Sequence, residues 1–287
     1  MTEQKTYQVA DWNGQSGEYW AVNQARLDAM FAVFGQAAIE AAAPATGERV
    51  LDVGCGAGAS SLDLAARVGA GGQVLGVDIS EPLIGRARAL APQDTPVLFQ
   101  VADASSAELP EGAFDMLFSR FGVMFFDDPT AAFTHMRRAL RPGGRVAFVC
   151  WRGVAENDWV RLPMIAIKDI VPLPAPPGPD VPGPFSFGDQ GRVERILTTA
   201  GFTDITIAPF DASISFGQGE TWDAAIDDAV KMAFEGGPLS LVLADQPDDI
   251  RAHAWAAVRA AFAGLPGERS VMIDGAAWIV TARKSAS

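Results

Sequence analysis

The chain has 287 residues, 49% of them hydrophobic, which is enough to bury the core of one elaborated domain or of a domain with a cap. Its 22 lysine and arginine residues stand against 35 aspartate and glutamate residues, giving a formal net charge of -13. No segment gathers basic residues into a stripe that could follow a phosphate backbone, so we expect no nucleic-acid partner.

The N-terminal part of the chain predicts a helical segment and no targeting signal. MTEQKTYQVADWNG lacks the basic start, the apolar run and the cleavage site of a signal peptide, and no window reaches the ~18 unbroken apolar residues of a membrane span. We therefore expect a cytoplasmic protein without a membrane partner. Residues 18–43 carry apolar side chains at the spacing of one helix face, and Pro44 and Gly47 end the pattern. We predict a helical lead-in, or cap, over residues 1–48.

From Arg49 onward, strand and helix patterns alternate. The predicted strands cover residues 50–53, 74–77, 97–101, 114–118 and 145–150, and the predicted helices cover residues 58–68, 81–90 and 130–140. The strands are apolar at nearly every position, which indicates a parallel sheet covered by helices on both faces. The sequence therefore predicts a doubly wound α/β core over residues 49–153.

The composition changes after Trp151. Residues 172–184 contain seven prolines in thirteen positions, so residues 154–188 are predicted to form a stiff proline-rich loop region. Residues 189–216 and 270–284 are predicted to complete the sheet. Residues 217–269 carry two apolar helical stripes and are predicted to form an inserted helical lid, with a homodimer interface as the alternative use of the stripes. The stripes are Trp222, Ile226, Val230 and Phe234, and Trp255, Val258, Phe262 and Leu265.

The segment RVLDVGCGAGAS, residues 49–60, indicates a buried strand that enters a glycine turn and then a helix. Gly54, Gly56 and Gly58 follow Asp52, whereas a dinucleotide site usually spells G-x-G-x-x-G. Two interpretations of the turn remain open, because a strand–turn–helix connection can need glycine for its backbone geometry without any ligand.

Acidic residues at the ends of the next two strands favour a ligand. Asp78 ends the second predicted strand and Asp103 ends the third, and an acidic side chain at the end of the second strand would face a ribose. Asp78 also has a structural interpretation as a turn or capping residue. The glycine turn and the two acidic residues occur in the order that a nucleotide-like cofactor needs.

Five segments in chain order resemble the motifs of the class I S-adenosylmethionine-dependent methyltransferases: VLDVGCGAGAS, GVDIS, ADASSAELP, FDMLFSRFGVMFF and LRPGGRVAFVCW. The nearest type is the small-molecule group, such as the methyltransferases of ubiquinone and menaquinone biosynthesis. The resemblance implies a mostly parallel seven-stranded, Rossmann-like sheet with the helical lead-in and an inserted helical cap. It also implies S-adenosyl-L-methionine as cofactor, S-adenosyl-L-homocysteine as product, and a small-molecule acceptor whose methylated atom, oxygen, nitrogen, carbon or sulfur, stays open.

The resemblance further implies which residues form the site. Cofactor contacts are expected from Asp52, Gly54, Cys55 and Gly56 at the amino-acid end, Asp78 at the ribose, Ile79 and Leu83 at the adenine faces, Asp103 and Ala104 at the adenine edge, and Ser119 beside the transferred methyl. The acceptor pocket is expected to include Trp12, Tyr19, Trp20, Phe121 and Trp151. These residue types suit the roles, because carboxylates accept hydrogen bonds from hydroxyls and amines while aliphatic side chains can sandwich a flat ring. Asp52 and Trp20 have structural alternatives.

Methyl transfer by in-line displacement needs no protein nucleophile, and it needs a general base only when the acceptor arrives protonated. The candidate catalytic residues are Arg120 and His135. Arg120 is either a substrate-facing cation or one half of a structural ion pair, and His135, like His253, is either a base or a packing residue. The cysteines, Cys55 and Cys150, are too few for a disulfide framework or a metal set, so we expect reduced thiols and no metal.

Two rival functions remain. A non-catalytic module that binds S-adenosylmethionine or a partner protein would keep the fold without the reaction. An NAD-dependent oxidoreductase is disfavoured by the missing third-glycine spacing and by Asp103.

Overall fold

A computed structural model of the chain describes residues 12–175, 177–178 and 180–286. These residues form two compact units. Within the described residues, the larger unit comprises residues 12–151, 180–210 and 277–286, and the smaller unit comprises residues 152–175, 177–178 and 211–276. No helix in the described part of the chain is both long and apolar enough to cross a membrane.

The helices and strands alternate through the first half of the chain, as the sequence predicted. They are α1 (Gln15–Val22), α2 (Gln24–Ala42), β1 (Arg49–Val53), α3 (Ala59–Val68), β2 (Gln73–Asp78), α4 (Glu81–Leu90), β3 (Val97–Val101), β4 (Phe114–Arg120), α5 (Pro129–Ala139) and β5 (Leu140–Trp151). The second half contributes α6 (Asp158–Ile167), α7 (Gln190–Thr199), β6 (Phe202–Gln218), α8 (Trp222–Glu235), α9 (Pro238–Leu243), α10 (Asp248–Ala263) and β7 (Ser270–Lys284).

The strands form one seven-stranded sheet in the order β3-β2-β1-β4-β5-β7-β6. The neighbours from β3 to β5 pair in parallel, and β7 pairs antiparallel with β5. This confirms the predicted doubly wound, mostly parallel sheet. The strand order reverses direction at β1 and β4, which is where ligands bind in open α/β sheets.

The sheet core follows from the apolar strands. β1 is buried at every position after Arg49, and Val50 and Leu51 have no exposed surface. β5 begins at Leu140, earlier than the predicted start at residue 145. Its pairing with β4 has an irregularity between Phe114 and Met116 that takes up the intervening PGG segment.

The two apolar stripes of residues 217–269 lie on α8 and α10 in the smaller unit, except for Leu265, which follows the end of α10. Ile226 and Val258 are buried, and the rings of Phe234 and Trp255 meet edge to face with centroids 5.1 Å apart. Each helix therefore covers part of the apolar face of the other. The lid and the homodimer interface were predicted because these apolar faces must be covered, and the contact between the two helices covers part of them. The lid stays a prediction.

Candidate functional site

The glycine turn lies between β1 and α3, and its backbone is fixed against β2. Gly54, Gly56 and Gly58 have φ angles of 65°, 55° and 90°, a backbone region that residues other than glycine rarely adopt. The amide groups of Gly54 and Cys55 both donate to the carbonyl oxygen of Val77, at 2.9 and 3.1 Å. The turn is therefore held rigidly at the carboxyl ends of the two strands.

The three glycines differ in what surrounds them. A Cβ atom at Gly54 would lie 2.8 Å from the Gly122 Cα, and one at Gly58 would lie 2.7 Å from the Phe99 ring. A Cβ atom at Gly56 would meet no atom within 4 Å. Packing therefore explains Gly54 and Gly58, whereas Gly56 borders open space into which a ligand could come close to the backbone.

Asp78 joins the ends of two loops. Its Oδ2 accepts from the Gly56 amide at 2.8 Å, and its Oδ1 accepts from the Ser80 amide at 2.9 Å. Burial raises the pKa of the Asp78 carboxyl, and the backbone donors act in the opposite direction. Because each carboxylate oxygen can accept a second hydrogen bond, Asp78 combines its structural role with spare capacity for ribose hydroxyls.

Asp52 is fully buried beneath the turn. Its Oδ2 accepts from the hydroxyls of Ser60 at 2.8 Å and Ser61 at 2.6 Å. Its Oδ1 has no hydrogen-bond partner among the described residues. Burial raises the pKa of Asp52 to about 6, against the lowering effect of the two serines and of Arg120.

The remaining predicted cofactor residues lie along the β2 and β3 ends. Leu83 and Ala104 are buried, and Ile79 is half-buried. Asp103 is exposed, and its Oδ1 accepts from the Ser105 amide at 2.8 Å and from the Ser105 hydroxyl at 2.7 Å. This turn fixes the Asp103 side chain at the end of β3.

The N-terminal lead-in is bonded to the segment that follows β2. The Asn13 amide group donates to the Ile79 carbonyl at 2.9 Å and its oxygen accepts from the Glu81 amide at 3.0 Å. The Ser80 hydroxyl donates to the Trp12 carbonyl at 2.6 Å. The lead-in therefore lies against the segment in which the sequence predicted adenine contacts.

Ser119 and Gly122 belong to the framework of the site. The Ser119 hydroxyl is buried, donates to the Val53 carbonyl at 2.7 Å and accepts from the Gly122 amide at 3.1 Å. A Cβ atom at Gly122 would lie 2.8 Å from that same Val53 carbonyl. These contacts bring the ends of β1 and β4 close together, which gives Ser119 a structural function at the position predicted to adjoin the methyl group.

Arg120 forms an ion pair with Asp28 of α2, with 2.6 Å between Nη2 and Oδ1. Both side chains are largely buried, at 13% and 19% exposure. The sequence left Arg120 open as a substrate-facing cation or as one half of a structural ion pair, and the structure contains the ion pair.

Aromatic rings cluster at the ends of β4 and β5. Phe121 has a φ of 60°, an uncommon conformation for a residue with a bulky side chain, and its ring stacks on Trp151 with centroids 4.1 Å apart. Phe31 of α2 contacts Phe121, Trp151 and Trp20, and Trp20 contacts Trp12. Four of the five predicted acceptor-pocket residues thus join one cluster. Tyr19 is half-buried on α1.

The predicted base His135 has both ring nitrogens in hydrogen bonds. Nε2 lies 2.8 Å from the Ala107 carbonyl and Nδ1 lies 2.8 Å from Arg138 Nη2. Because arginine can only donate, Nδ1 accepts and Nε2 donates, so neither nitrogen can take a proton from an acceptor without breaking a bond. His253 is exposed on α10 in the smaller unit.

Both cysteines are buried, at 2% exposure for Cys55 and 0% for Cys150, and burial raises the pKa of each thiol. The Cys55 thiol is next to the carboxylates of Asp52 and Asp78, which act in the same direction. It therefore stays neutral and serves as a packing group under the turn.

Several residues of the site were not identified from the sequence: Asn13, Asp28, Phe31, Ser60, Ser61 and Gly122. The serines had a local signal, because these two hydroxyl side chains start the helix only 8 and 9 positions after Asp52. Asn13 and Asp28 bond to residues 66 and 92 positions away, and no local pattern shows such contacts.

Comparisons with known proteins agree with this geometry. A family model described as a methyltransferase domain matches residues 51–148. Aklanonic acid methyltransferase DauC of Streptomyces sp. (strain C5) is 36% identical over 120 residues, which cover 41% of this chain and 54% of that protein. Nocamycin O-methyltransferase of Saccharothrix syringae is 31% identical over 175 residues, which cover 56% of this chain and 61% of that protein. The chain thus spans little more than half the length of these relatives.

One solved structure shows the same fold. Phosphoethanolamine N-methyltransferase 2 of Haemonchus contortus, in complex with S-adenosyl-L-methionine, matches with a TM-score of 0.58 at 18% identity, over 98% of this chain and 60% of that chain. The match covers the seven-stranded fold described above. Residues 51–148 thus match a methyltransferase domain, and the chain is similar over part of its length to proteins named as methyltransferases.

Proposed function

We propose that this protein transfers the methyl group of S-adenosyl-L-methionine to a small-molecule acceptor. The observation that carries the proposal is the open space at Gly56, beside a turn that packing and hydrogen bonds hold rigid. At the other two glycines a Cβ atom would meet neighbouring atoms, the Gly122 backbone at Gly54 and the Phe99 ring at Gly58.

The polar groups at this turn fit the cofactor. The unpartnered Asp52 Oδ1 suits the ammonium group of the amino-acid end, and the spare acceptor capacity of Asp78 suits the ribose hydroxyls. We assign the backbone of Gly54, Cys55 and Gly56 to the amino-acid end. Ile79 and Leu83 are assigned to the adenine faces, and Asp103 with Ala104 to the adenine edge.

Bound S-adenosyl-L-methionine would supply a methyl group on a positively charged sulfur, and its product is S-adenosyl-L-homocysteine. The aromatic cluster around Phe121 and Trp151 would form the wall on the acceptor side. Ring faces attract a cation, and apolar rings exclude water, so the cluster suits an enclosed pocket for in-line displacement. Ser119 would act through the framework, by holding the β1 and β4 ends together.

No proton transfer is assigned to His135, because both of its ring nitrogens are in hydrogen bonds. An acceptor that arrives deprotonated would need no base. Support for a small acceptor comes from relatives that are named for aklanonic acid and nocamycin. A cytoplasmic location and a homodimer stay predictions, which cell fractionation and light scattering can test.

The proposal is tested with S-adenosyl-L-methionine labelled in its methyl group and a panel of small acceptors that carry hydroxyl, carboxyl, amine, thiol or activated carbon groups. Mass spectrometry of any ligand that co-purifies with the protein guides the choice of panel. Label in a small product, with the Gly56→Ala variant inactive, supports the proposal. Cofactor binding without any transfer across the panel would identify a non-catalytic binding module instead.

A further inference from the structure

Asp52 is an ionisable group with hydrogen-bond partners at only one of its two carboxyl oxygens. Ser60 and Ser61 sit in the first turn of α3 and both donate to Oδ2, so the plane of the carboxylate is fixed and Oδ1 is left over. A fully buried carboxylate with an unsatisfied oxygen is unfavourable in its charged form. A ligand that brings a cation or a donor would remove this cost.

Other titratable groups face Asp52 from the elements around it. Arg120 on β4 favours the charged form of Asp52, and Asp78 at the end of β2 disfavours it. The Cys55 thiol is neutral, because burial raises its pKa. Burial of Asp52 outweighs the serines and Arg120 together, so the pKa of Asp52 in the free protein lies near 6 rather than at the ordinary 3.8.

We propose that Ser60 and Ser61 are positioning residues that present Oδ1 of Asp52 to the ammonium group of the cofactor, and that cofactor binding expels the proton from those free molecules in which Asp52 is protonated. This inference rests on the proposed function, and it goes beyond it by assigning the serine pair and the proton. No covalent bond to the cofactor forms or breaks. The carboxyl proton of Asp52 goes to solvent, and the ammonium group keeps its charge.

The direction of the pH effect follows from the raised pKa of Asp52. Below about pH 6 most free molecules hold the proton, and binding must release it, so affinity should fall by up to about tenfold per pH unit as the pH drops. Above about pH 7 the carboxylate is already charged, so affinity should level off. Binding should release roughly half a proton at about pH 6 and less than about 0.1 proton at about pH 7.5.

The test is isothermal titration calorimetry of the full chain with two ligands, in pairs of buffers that differ in ionisation enthalpy. S-adenosyl-L-homocysteine carries the ammonium group. 5′-Methylthioadenosine has the nucleoside and the thioether but no amino-acid end, so any proton released through Asp78 at the ribose appears with both ligands. Only S-adenosyl-L-homocysteine should show the additional release from Asp52.

Variants separate the serines from a general structural role. A hydroxyl that donates to a carboxylate favours its charged form, so Ser61→Ala should move the midpoint of the pH–affinity curve upward by about one pH unit. Ser60→Ala should move it in the same direction. Ser240→Ala, which removes another first-turn helix hydroxyl that donates to a backbone carbonyl, is the matched control and should leave the midpoint unchanged. Should Ser61→Ala not fold, the Ser60→Ala variant still tests the positioning role, and the two-ligand comparison still tests the proton release.

The outcomes are distinguishable. Failure of S-adenosyl-L-homocysteine to bind at any pH would overturn the proposed function. Binding that is independent of pH, or equal proton release with both ligands, would overturn the proton coupling alone. An unchanged midpoint in both serine variants would overturn the positioning role.

Discussion

Replacing Gly56 with alanine should abolish most cofactor binding at little cost to the fold. Gly56 has a φ of 55°, so alanine there pays a backbone penalty of about 1–2 kcal/mol. Its methyl group meets no protein atom within 4 Å and would project into the space assigned to the cofactor. We expect the affinity for S-adenosyl-L-homocysteine to fall at least tenfold, about 1.4 kcal/mol, because the ligand must move away from the backbone.

Gly112 is the matched control for the backbone penalty. Its φ is 62°, and a Cβ atom there also meets nothing within 4 Å, but it lies just before β4 and away from the glycine turn. Both variants should lose about 1–2 kcal/mol of unfolding free energy and a few degrees in melting temperature. Only Gly56→Ala should lose affinity in calorimetry. If the two variants bind S-adenosyl-L-homocysteine within about threefold of each other, roughly 0.7 kcal/mol, the assignment of this space is wrong.

Three further predictions test the aspartates of the glycine turn and the nearby ion pair. Asp78→Ala should weaken the binding of S-adenosyl-L-homocysteine and of 5′-methylthioadenosine by the same factor, at least about tenfold, since a charge-assisted hydrogen bond contributes about 1.5–3 kcal/mol. If a folded variant binds both ligands as tightly as the wild type, Asp78 has only a structural role in its loop. Asp52→Asn should raise the unfolding free energy of the ligand-free protein by up to about 3 kcal/mol at pH 8 and by nothing below about pH 4. The reason is that folding raises the pKa of Asp52 from 3.8 to about 6, so its charge destabilises the folded protein as the pH rises through that value. Denaturant titrations that show the same difference at both pH values would contradict this. For the ion pair of Arg120 and Asp28, a double-mutant cycle with Arg120→Met and Asp28→Asn should give a coupling energy of about 1–3 kcal/mol in thermal or denaturant unfolding. Additive effects of the two substitutions would show that the pair contributes nothing to stability.

The sheet and the glycine turn could be predicted from the sequence because their signals are local. Strands that are apolar at nearly every position define the parallel sheet, and the aspartate with its three glycines spans only Asp52 to Gly58. Even so, the glycine pattern alone could not show that Gly54 and Gly58 are required by packing while Gly56 borders open space. That distinction depends on Gly122, which follows β4, and on Phe99 of β3.

The rest of the site depends on contacts between distant parts of the chain. Arg120 had two interpretations because its partner Asp28 lies 92 residues earlier, on a helix that the sequence marked only as apolar. His135 was a candidate base because the sequence cannot show that both of its ring nitrogens are in hydrogen bonds. The helical stripes of residues 217–269 were expected to need an outside surface, and the contact between Phe234 and Trp255 shows that they meet each other.

The central claim, that the glycine turn holds S-adenosyl-L-methionine, is tested most directly by calorimetric titration of the wild-type protein with S-adenosyl-L-homocysteine and with NAD under the same conditions. The account predicts saturable binding of one S-adenosyl-L-homocysteine per chain and no heat of binding from NAD. Saturable binding of NAD, or no binding of S-adenosyl-L-homocysteine to the folded protein, would contradict it.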